Sequence, residues 1–191
     1  MQQKTHQITV NTHGRKLYDI TPEVLAWANA SGMKTGMMTL YIQHTSASLL
    51  INENYDHDVL VDMEAFFNRL VPDGDPLFIH TVEGPDDMPA HVKSALLGHD
   101  VLIPISNGLL ALGTWQGIYL CEHRNQGGSR RLLVTLQTLG ISVRSKAEDA
   151  VSGIAFDIVS AWVDPAVTMG HLDGVITVNL EEADDTYRQI N

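Results

Sequence analysis

The sequence predicts an α+β protein in which antiparallel strands are accompanied by three helices. Short stretches such as residues 5–12 and 37–44 alternate apolar and polar side chains, as half-buried strands do. Residues 55–70 instead repeat their apolar side chains at helical spacing. A third sign is the Asn107-Gly108 pair between two apolar runs, which is a strong signal for a tight hairpin.

The predicted strands follow one another with short turns between them. Residues 5–12 and 15–20 flank a turn at Gly14, and in residues 37–44 the side chain of His44 shares a face with apolar neighbours. Residues 126–129 are interpreted as the hairpin loop before the last strand. The remaining strands are expected over residues 49–51, 101–105, 109–112, 113–123 and 130–139.

The three helices are predicted over residues 21–30, 55–70 and 90–97. Each has, at or just before its start, a side chain that can accept an unpaired backbone N–H, namely Thr21, Asp56, and Asp86 or Asp87. Gly98 is the expected end of the third helix. The second helix carries an apolar stripe of Val59, Met63, Phe66, Phe67 and Leu70.

Composition narrows the classes of partner. Twelve basic and 23 acidic residues give 12 − 23 = −11, so we expect no nucleic-acid partner. No apolar run is long enough to span a bilayer, so no membrane partner is expected. Cys121 is the single cysteine, which excludes an intrachain disulfide, fits a reducing cytoplasm and leaves histidine and oxygen atoms as metal ligands.

Residues 80–91 are the densest cluster of reactive groups. They contain two imidazoles and three carboxylates around Gly84 and Pro85, and they lead into the third helix. In the first turn of that helix, the dipole favours a neutral His91, and free N–H groups can hold phosphate. The alternative is an ordinary acidic loop with solvated histidines.

Other histidines have simpler interpretations. His44 alone is best explained as a histidine at the edge of the core, hydrogen-bonded to backbone. The hydroxyls of Thr45 and Ser46 beside it suit either phosphate oxygens or a turn. The three histidines interpreted as surface residues are His57, His99 and His123.

Residues 1–140 resemble the YjbQ family through many separated matches in the same order. These matches are residues 43–48, 52–54, 62–64, 83–84, 86–91, 113–117, 122–124 and 127–131, with Asp56 and His80. The resemblance implies orthogonally packed antiparallel sheets around a threefold axis in a homotrimer. It also implies a thiamine-phosphate synthase-type transferase, which joins a pyrimidine diphosphate to a thiazole phosphate and releases pyrophosphate.

The resemblance further implies that His44, His80 and His91 converge on a divalent metal, zinc or magnesium, or on phosphate. Glu83, Asp87 or Glu122 would then orient an imidazole or accept a proton. The expected contacts to a phosphorylated small-molecule substrate are Thr45, Ser46, Asn52, Thr114, Gln116 and Arg130. Two alternatives stay open: a metal-dependent phosphoester hydrolase, and a non-enzymatic trimer that binds metal or anions.

Residues 141–191 are expected to form a separate extension, the product of a fusion or truncation. Three basic and nine acidic residues give it 3 − 9 = −6, and a helix over 148–162 and a strand over 175–180 are predicted. Residues 171–180 resemble an interior stretch of bacterial zinc-binding metallopeptidases. The His-Glu-x-x-His motif is absent from the sequence, so peptidase chemistry is not expected.

Overall fold

A computed structural model describes residues 3–138, and the domain boundary, helix and strand predicted beyond them lie outside the described residues. The described part contains three helices and two antiparallel sheets, which confirms the predicted α+β class. In chain order the elements are β1 (Gln3–Asn11), β2 (Lys16–Asp19), α1 (Thr21–Ala30), β3 (Gly36–Ile42), β4 (Ala47–Glu53), α2 (His57–Leu70), α3 (Asp87–Leu97), β5 (Asp100–Ser106), β6 (Leu109–Leu110), β7 (Gln116–Glu122) and β8 (Ser129–Gln137). None of these helices is long and apolar enough to cross a bilayer.

The chain passes from one sheet to the other between β7 and β8. The five-stranded sheet has the order β1-β8-β3-β5-β6, and the three-stranded sheet has the order β2-β7-β4. The predicted hairpin at residues 126–129 is therefore wrong, since β7 and β8 lie in different sheets. Gly127 lies so close to the Thr12 backbone that an added Cβ would overlap the Thr12 carbonyl, which explains the glycine at this crossing.

Strand β7 is the centre of the smaller sheet and is buried on both faces. Ile118 and Leu120 belong to the main core, which also includes apolar side chains of the larger sheet. Tyr119 and Cys121 point the other way and pack against Leu50, Leu60, Met63, Leu97 and Leu17. Complete burial of such a side chain contributes about 1.5–3 kcal/mol. Within residues 3–138, β7 is thus an internal strand, and β2 and β4, which flank it, are less buried.

The helix ends correct several predictions. Thr21 is the first residue of α1 and does not cap it; its hydroxyl accepts the Ile118 N–H at 2.8 Å. Asp56 caps α2 as predicted, by accepting the Asp58 N–H at 2.9 Å. The apolar stripe of α2 is only partly covered, because Phe66 and Leu70 are exposed.

Helix α3 begins earlier than predicted. It starts at Asp87, so His91 lies one turn into the helix and not in its first turn. Asp86 occupies the cap position without a side-chain cap hydrogen bond, because its carboxylate accepts from Arg124 and Asn125 instead. Gly98 ends the helix with a φ of 94°, as expected for glycine. Because the helix starts at Asp87, the side chains of Asp87 and His91 lie one turn apart on the same helix.

Candidate functional site

His80, Asp87 and His91 form a cluster at the start of α3. Each offers one ligand atom, and the three atoms lie within 4.8 Å of one another. Asp87 Oδ2 is 2.9 Å from His80 Nε2 and 3.2 Å from His91 Nε2. Asp87 is buried, whereas His80 is exposed and His91 is half-buried. The cluster therefore combines a fixed carboxylate with imidazoles that solvent can reach.

Local structure brings these three side chains together. Asp87 and His91 are four residues apart on α3, so they share one face of the helix. His91 Nδ1 lies 2.9 Å from the carbonyl oxygen of Thr45, in the loop before β4. A carbonyl only accepts, so Nδ1 carries the proton, and this bond directs Nε2 towards Asp87.

Arg124 binds the carboxylates of Asp86 and Asp87. Its guanidinium donates to Asp87 Oδ1, to Asp86 Oδ2 at 3.1 Å and to the Glu83 carbonyl at 2.8 Å. Burial alone would raise the pKa of Asp86, but the Asn125 N–H and the Arg124 guanidinium outweigh burial and lower it. With Oδ1 of Asp87 occupied by Arg124, Oδ2 is the oxygen presented to the two imidazoles.

His44 is not part of this cluster, so the predicted convergence of three histidines is not found within the chain. His44 Nε2 accepts the Arg131 N–H at 2.9 Å, and Nδ1 lies 3.4 Å from a guanidinium nitrogen of Arg130. Burial, followed by the charges of Arg130 and Arg131, lowers the pKa of His44. Its single lone pair as a neutral ring is thus already used, which matches the alternative of a histidine bonded to backbone.

Glu122 lies in a second, closed cluster with Arg130. Glu122 is 1% exposed. Its Oε2 accepts from Thr12 Oγ1 at 2.7 Å and from Arg130 Nε at 2.6 Å, and its Oε1 accepts from Arg130 Nη2 at 2.8 Å and the Arg124 N–H at 3.0 Å. Each carboxylate oxygen accepts two hydrogen bonds. The Glu122–Arg130 pair therefore stabilises the fold, and the carboxylate presents no free oxygen to a substrate.

The other predicted site residues are dispersed. Glu83 is exposed, and its Oε2 lies 3.3 Å from His80 Nε2. Thr45 contributes its carbonyl to His91, and Ser46 is half-buried in the same loop. Asn52 and Gln116 line an open cleft at the other end of β4 and β7. Thr114 is exposed in the turn before β7, so its predicted place within a strand is wrong.

Reasoning from the sequence missed a buried polar group behind α3. His123, interpreted as a surface residue, is 4% exposed, and its Nε2 lies 2.8 Å from Ser48 Oγ. Burial, with Lys93 and Arg15 nearby, lowers the pKa of His123 to about 3. Burial also lowers the pKa of Lys93, which donates to Asn68 Oδ1, to about 8. No periodicity in the sequence indicates that these residues are buried, because their burial depends on the packing of other elements against both faces of β7.

Two other histidines were also interpreted as surface residues. His57 is exposed as predicted. His99 is half-buried, and its Nε2 lies 3.0 Å from Ser94 Oγ.

Comparison with known proteins gives two family matches. The profile described as "UPF0047 protein YjbQ-like" matches residues 6–139, and the one described as "Putative zinc-binding metallo-peptidase" matches residues 123–191. The second match covers the stretch whose resemblance to metallopeptidases was predicted.

Relatives and solved structures agree with the first match. A UPF0047 protein of Synechocystis sp. is 46% identical over 133 residues, 69% of this chain and 90% of the relative. The UPF0047 protein YjbQ of Escherichia coli O157:H7 is 47% identical over 136 residues, 71% of this chain and 96% of the relative. A solved YjbQ/UPF0047 structure from Clostridium acetobutylicum superposes with a TM-score of 0.63 at 36% identity, covering 69% of this chain and 99% of that one. With more than half of its length matched, the chain belongs to the YjbQ/UPF0047 family.

Proposed function

We propose that this protein is a metal-dependent enzyme acting on a phosphorylated small molecule, with a divalent metal held by His80, Asp87 and His91. One observation carries the proposal: a single carboxylate oxygen lies 2.9 Å and 3.2 Å from two imidazole nitrogens. Two nitrogens and one oxygen are a donor set suited to zinc and related divalent ions. Three protein ligands at a solvent-accessible position leave room for substrate.

The protonation state of His91 strengthens this proposal. Its Nδ1 proton is committed to the Thr45 carbonyl, so a neutral ring points the Nε2 lone pair at Asp87 Oδ2. Two lone pairs at 3.2 Å repel, and a cation between them removes the repulsion. That cation is either a second proton on His91 or a metal ion. A divalent metal at this position would bind the Nε2 lone pair and Asp87 Oδ2 together, and this is the support that the geometry gives to the proposal.

The chain's own residues have distinct roles in the proposed chemistry. A bound divalent metal would supply positive charge for a departing phosphate oxygen or acidify a water molecule. Arg124 fixes Asp87 and so orients the ligand set, as outer partners of metal ligands do. Glu83, which is exposed and 3.3 Å from His80, is placed to accept a proton from a nucleophile.

The preferred reaction is the thiamine-phosphate synthase-type transfer, and its support is the family resemblance together with a donor set suited to a divalent metal. The second candidate is hydrolysis of a phosphoester, which the position of Glu83 favours because a base beside the ligands can activate water. Cytoplasmic location stays a prediction from the single cysteine, Cys121, which is buried.

We also propose that the chain forms a homotrimer. Leu77, Ile79 and Val82, in the segment leading to the cluster, are 80%, 97% and 92% exposed. Large apolar side chains so close together favour burial by another subunit. Light scattering on the purified protein is expected to give the mass of three 21.0-kDa chains. A monomer mass at micromolar concentration would contradict this proposal and leave the metal site untouched.

Metal titration and turnover together test the proposed function. Calorimetry with zinc, manganese and magnesium on the purified chain is expected to show binding that His80→Ala and His91→Ala abolish and His44→Ala preserves. Assays then supply either the two phosphorylated precursors or a generic phosphoester. Coupling of the precursors supports the transferase, and hydrolysis supports the second candidate. Metal binding without either reaction would contradict the proposed enzymatic activity. Absence of metal binding would contradict the proposed metal site.

A further inference from the structure

A second group of polar side chains lies where β3 ends beside the start of β8. Backbone contacts hold the His44 ring here, because the Gln43 N–H donates to the Arg131 carbonyl at 3.0 Å and the Arg131 N–H donates to His44 Nε2 at 2.9 Å. On the other side of the ring, Nδ1 lies 3.4 Å from Arg130 Nη1. Both nitrogens of one imidazole therefore face a hydrogen-bond donor.

The His44 ring cannot accept a hydrogen bond at both nitrogens. A neutral imidazole has one nitrogen that accepts, and a protonated imidazole has none. The contact with the Arg131 N–H is the shorter of the two, so Nε2 is the acceptor and Nδ1 carries the proton. His44 Nδ1 and Arg130 Nη1 are then two donors that face each other. A second proton on the ring would leave Nδ1 protonated, so this conclusion does not depend on the charge of His44.

Glu122 holds the guanidinium of Arg130 in place. Arg130 Nε and Nη2 donate to the two oxygens of this buried carboxylate at 2.6 Å and 2.8 Å. The planar fork fixes the orientation of the guanidinium, and Nη1 stays directed at the imidazole. An oxygen atom about 2.9 Å from both Nη1 and Nδ1 would accept from the two donors at once and remove their repulsion.

The charges around His44 favour an anion at this position. Burial is the largest cause of the lowered pKa of His44, and the charges of Arg130 and Arg131 follow, each with a larger effect than the opposing charge of Glu122. A positive potential that disfavours a second proton on the ring attracts negative charge beside it. His44 is half-buried and Arg131 is exposed, so the group lies at the surface of the part of the chain that the structure describes.

We propose that His44 Nδ1 and Arg130 Nη1 together bind one oxygen of a phosphate group. The anion site follows from the two facing donors, whereas the assignment of this phosphate to the substrate rests on the proposed function. The Thr45 carbonyl, one residue after His44, lies 2.9 Å from His91 Nδ1, so one loop contacts both the donor pair and the proposed metal cluster. His44 thus binds substrate as a hydrogen-bond donor and is not a metal ligand.

Calorimetric titration with inorganic phosphate tests the proposal. The full chain is first freed of metal by dialysis against EDTA and then against buffer of constant ionic strength. Saturable binding of one phosphate per chain is expected, and acetate should bind about tenfold more weakly because it carries a single negative charge. Absence of saturable phosphate binding up to tens of millimolar, or equal binding of acetate, overturns the phosphate site.

His44→Gln separates the binding role from a structural one. Glutamine can place its amide oxygen near the position of Nε2, so the Arg131 N–H keeps an acceptor, but the donor at Nδ1 is lost. Phosphate affinity is expected to fall about tenfold while zinc affinity is unchanged. His91→Ala is the matched control and is expected to show the reverse pattern, so failure of this site and failure of the metal site are distinguishable. Unchanged phosphate affinity in His44→Gln overturns the proposal.

The tautomer of His44 provides a second measurement, which uses the unaltered chain and does not depend on the folding of a variant. Nitrogen-15 NMR of the imidazole is expected to show a protonated Nδ1 whose signal shifts when phosphate is added. A ring protonated only at Nε2, or an Nδ1 signal that does not change at saturating phosphate, overturns the proposal.

Discussion

Asp87 and Glu122 are both buried carboxylates bonded to arginine, yet their surroundings differ. Glu122 is enclosed by Thr12, Arg130 and a backbone N–H, and each oxygen accepts two hydrogen bonds. Asp87 gives one oxygen to Arg124 and presents the other to two imidazoles at the surface. A carboxylate whose acceptors are all satisfied holds a fold together, and one that faces solvent-accessible imidazoles can bind a cation.

The largest expected effect is at Glu122. Glu122→Gln removes the charge that compensates Arg130 in a buried environment, so the free energy of unfolding should fall by about 3–5 kcal/mol. Urea denaturation measures it. Glu83→Gln is the matched control, because Glu83 is exposed, and its effect should be about 0.5 kcal/mol or less. Equal losses in both variants would break the comparison between the two carboxylate clusters.

Metal binding should stabilise the protein by the next largest amount. At free zinc of about 100 times the dissociation constant, the free energy of unfolding rises by about 2.7 kcal/mol. His91→Ala should remove this increment, because it deletes a proposed ligand. His44→Ala should keep it, whatever its stability without zinc. Denaturation with and without zinc measures this increment for each variant. Loss of the increment in His44→Ala would mean that His44 belongs to the metal site.

The buried His123 gives the stability a pH dependence of intermediate size. Its pKa is lowered from 6.5 to about 3, chiefly by burial and then by Lys93, Arg15 and Arg130. Below pH 6.5 the unfolded chain therefore takes up a proton that the folded chain does not, and stability falls as the pH falls. Between pH 6.5 and about pH 5 the loss is about 2 kcal/mol, at about 1.4 kcal/mol per unit.

Denaturation of His123→Asn over the same pH range isolates this contribution. In the variant, the slope of the free energy of unfolding against pH should decrease by about 1.4 kcal/mol per pH unit, the value for one proton. His57→Asn is the control, since His57 is exposed, and its slope should equal that of the unaltered protein. An unchanged slope in His123→Asn would mean that His123 is not buried as a neutral ring.

The smallest effect concerns Arg124, which contacts Asp87 but not the imidazoles. Arg124→Lys keeps a positive charge and loses the planar guanidinium that contacts Asp87, Asp86 and the Glu83 carbonyl together. Zinc affinity should fall about tenfold, which is ~1.4 kcal/mol. Arg69→Lys, an exposed change on α2, should leave the affinity unaltered. Calorimetry that finds equal affinities in both variants would show that Asp87 needs no support from Arg124.

The sequence indicated residues 80–91 as a cluster of reactive groups because local structure builds it, but it predicted His44 as the third ligand and gave Asp87 an orienting or proton-accepting role. His80, Asp87 and His91 lie within twelve positions, and helical spacing places two of them on one face. The pairing of His44 with Arg130 and Arg131 depends instead on a change of sheet that no periodicity indicates. His123 was interpreted as a surface residue, which is wrong because helices and the larger sheet cover both faces of β7.

The position of β8 has a consequence for synthesis on the ribosome. The last described strand lies between the first and the third, and Gln3 pairs with Gln137. While residues 129–137 are still inside the exit tunnel, β1 has no partner in its sheet and β3 has one open edge. Long-range pairing of this kind slows folding and exposes strand edges to aggregation. A nascent chain stalled before Ser129 is therefore expected to be a chaperone client, and release of β8 is the event that closes the sheet.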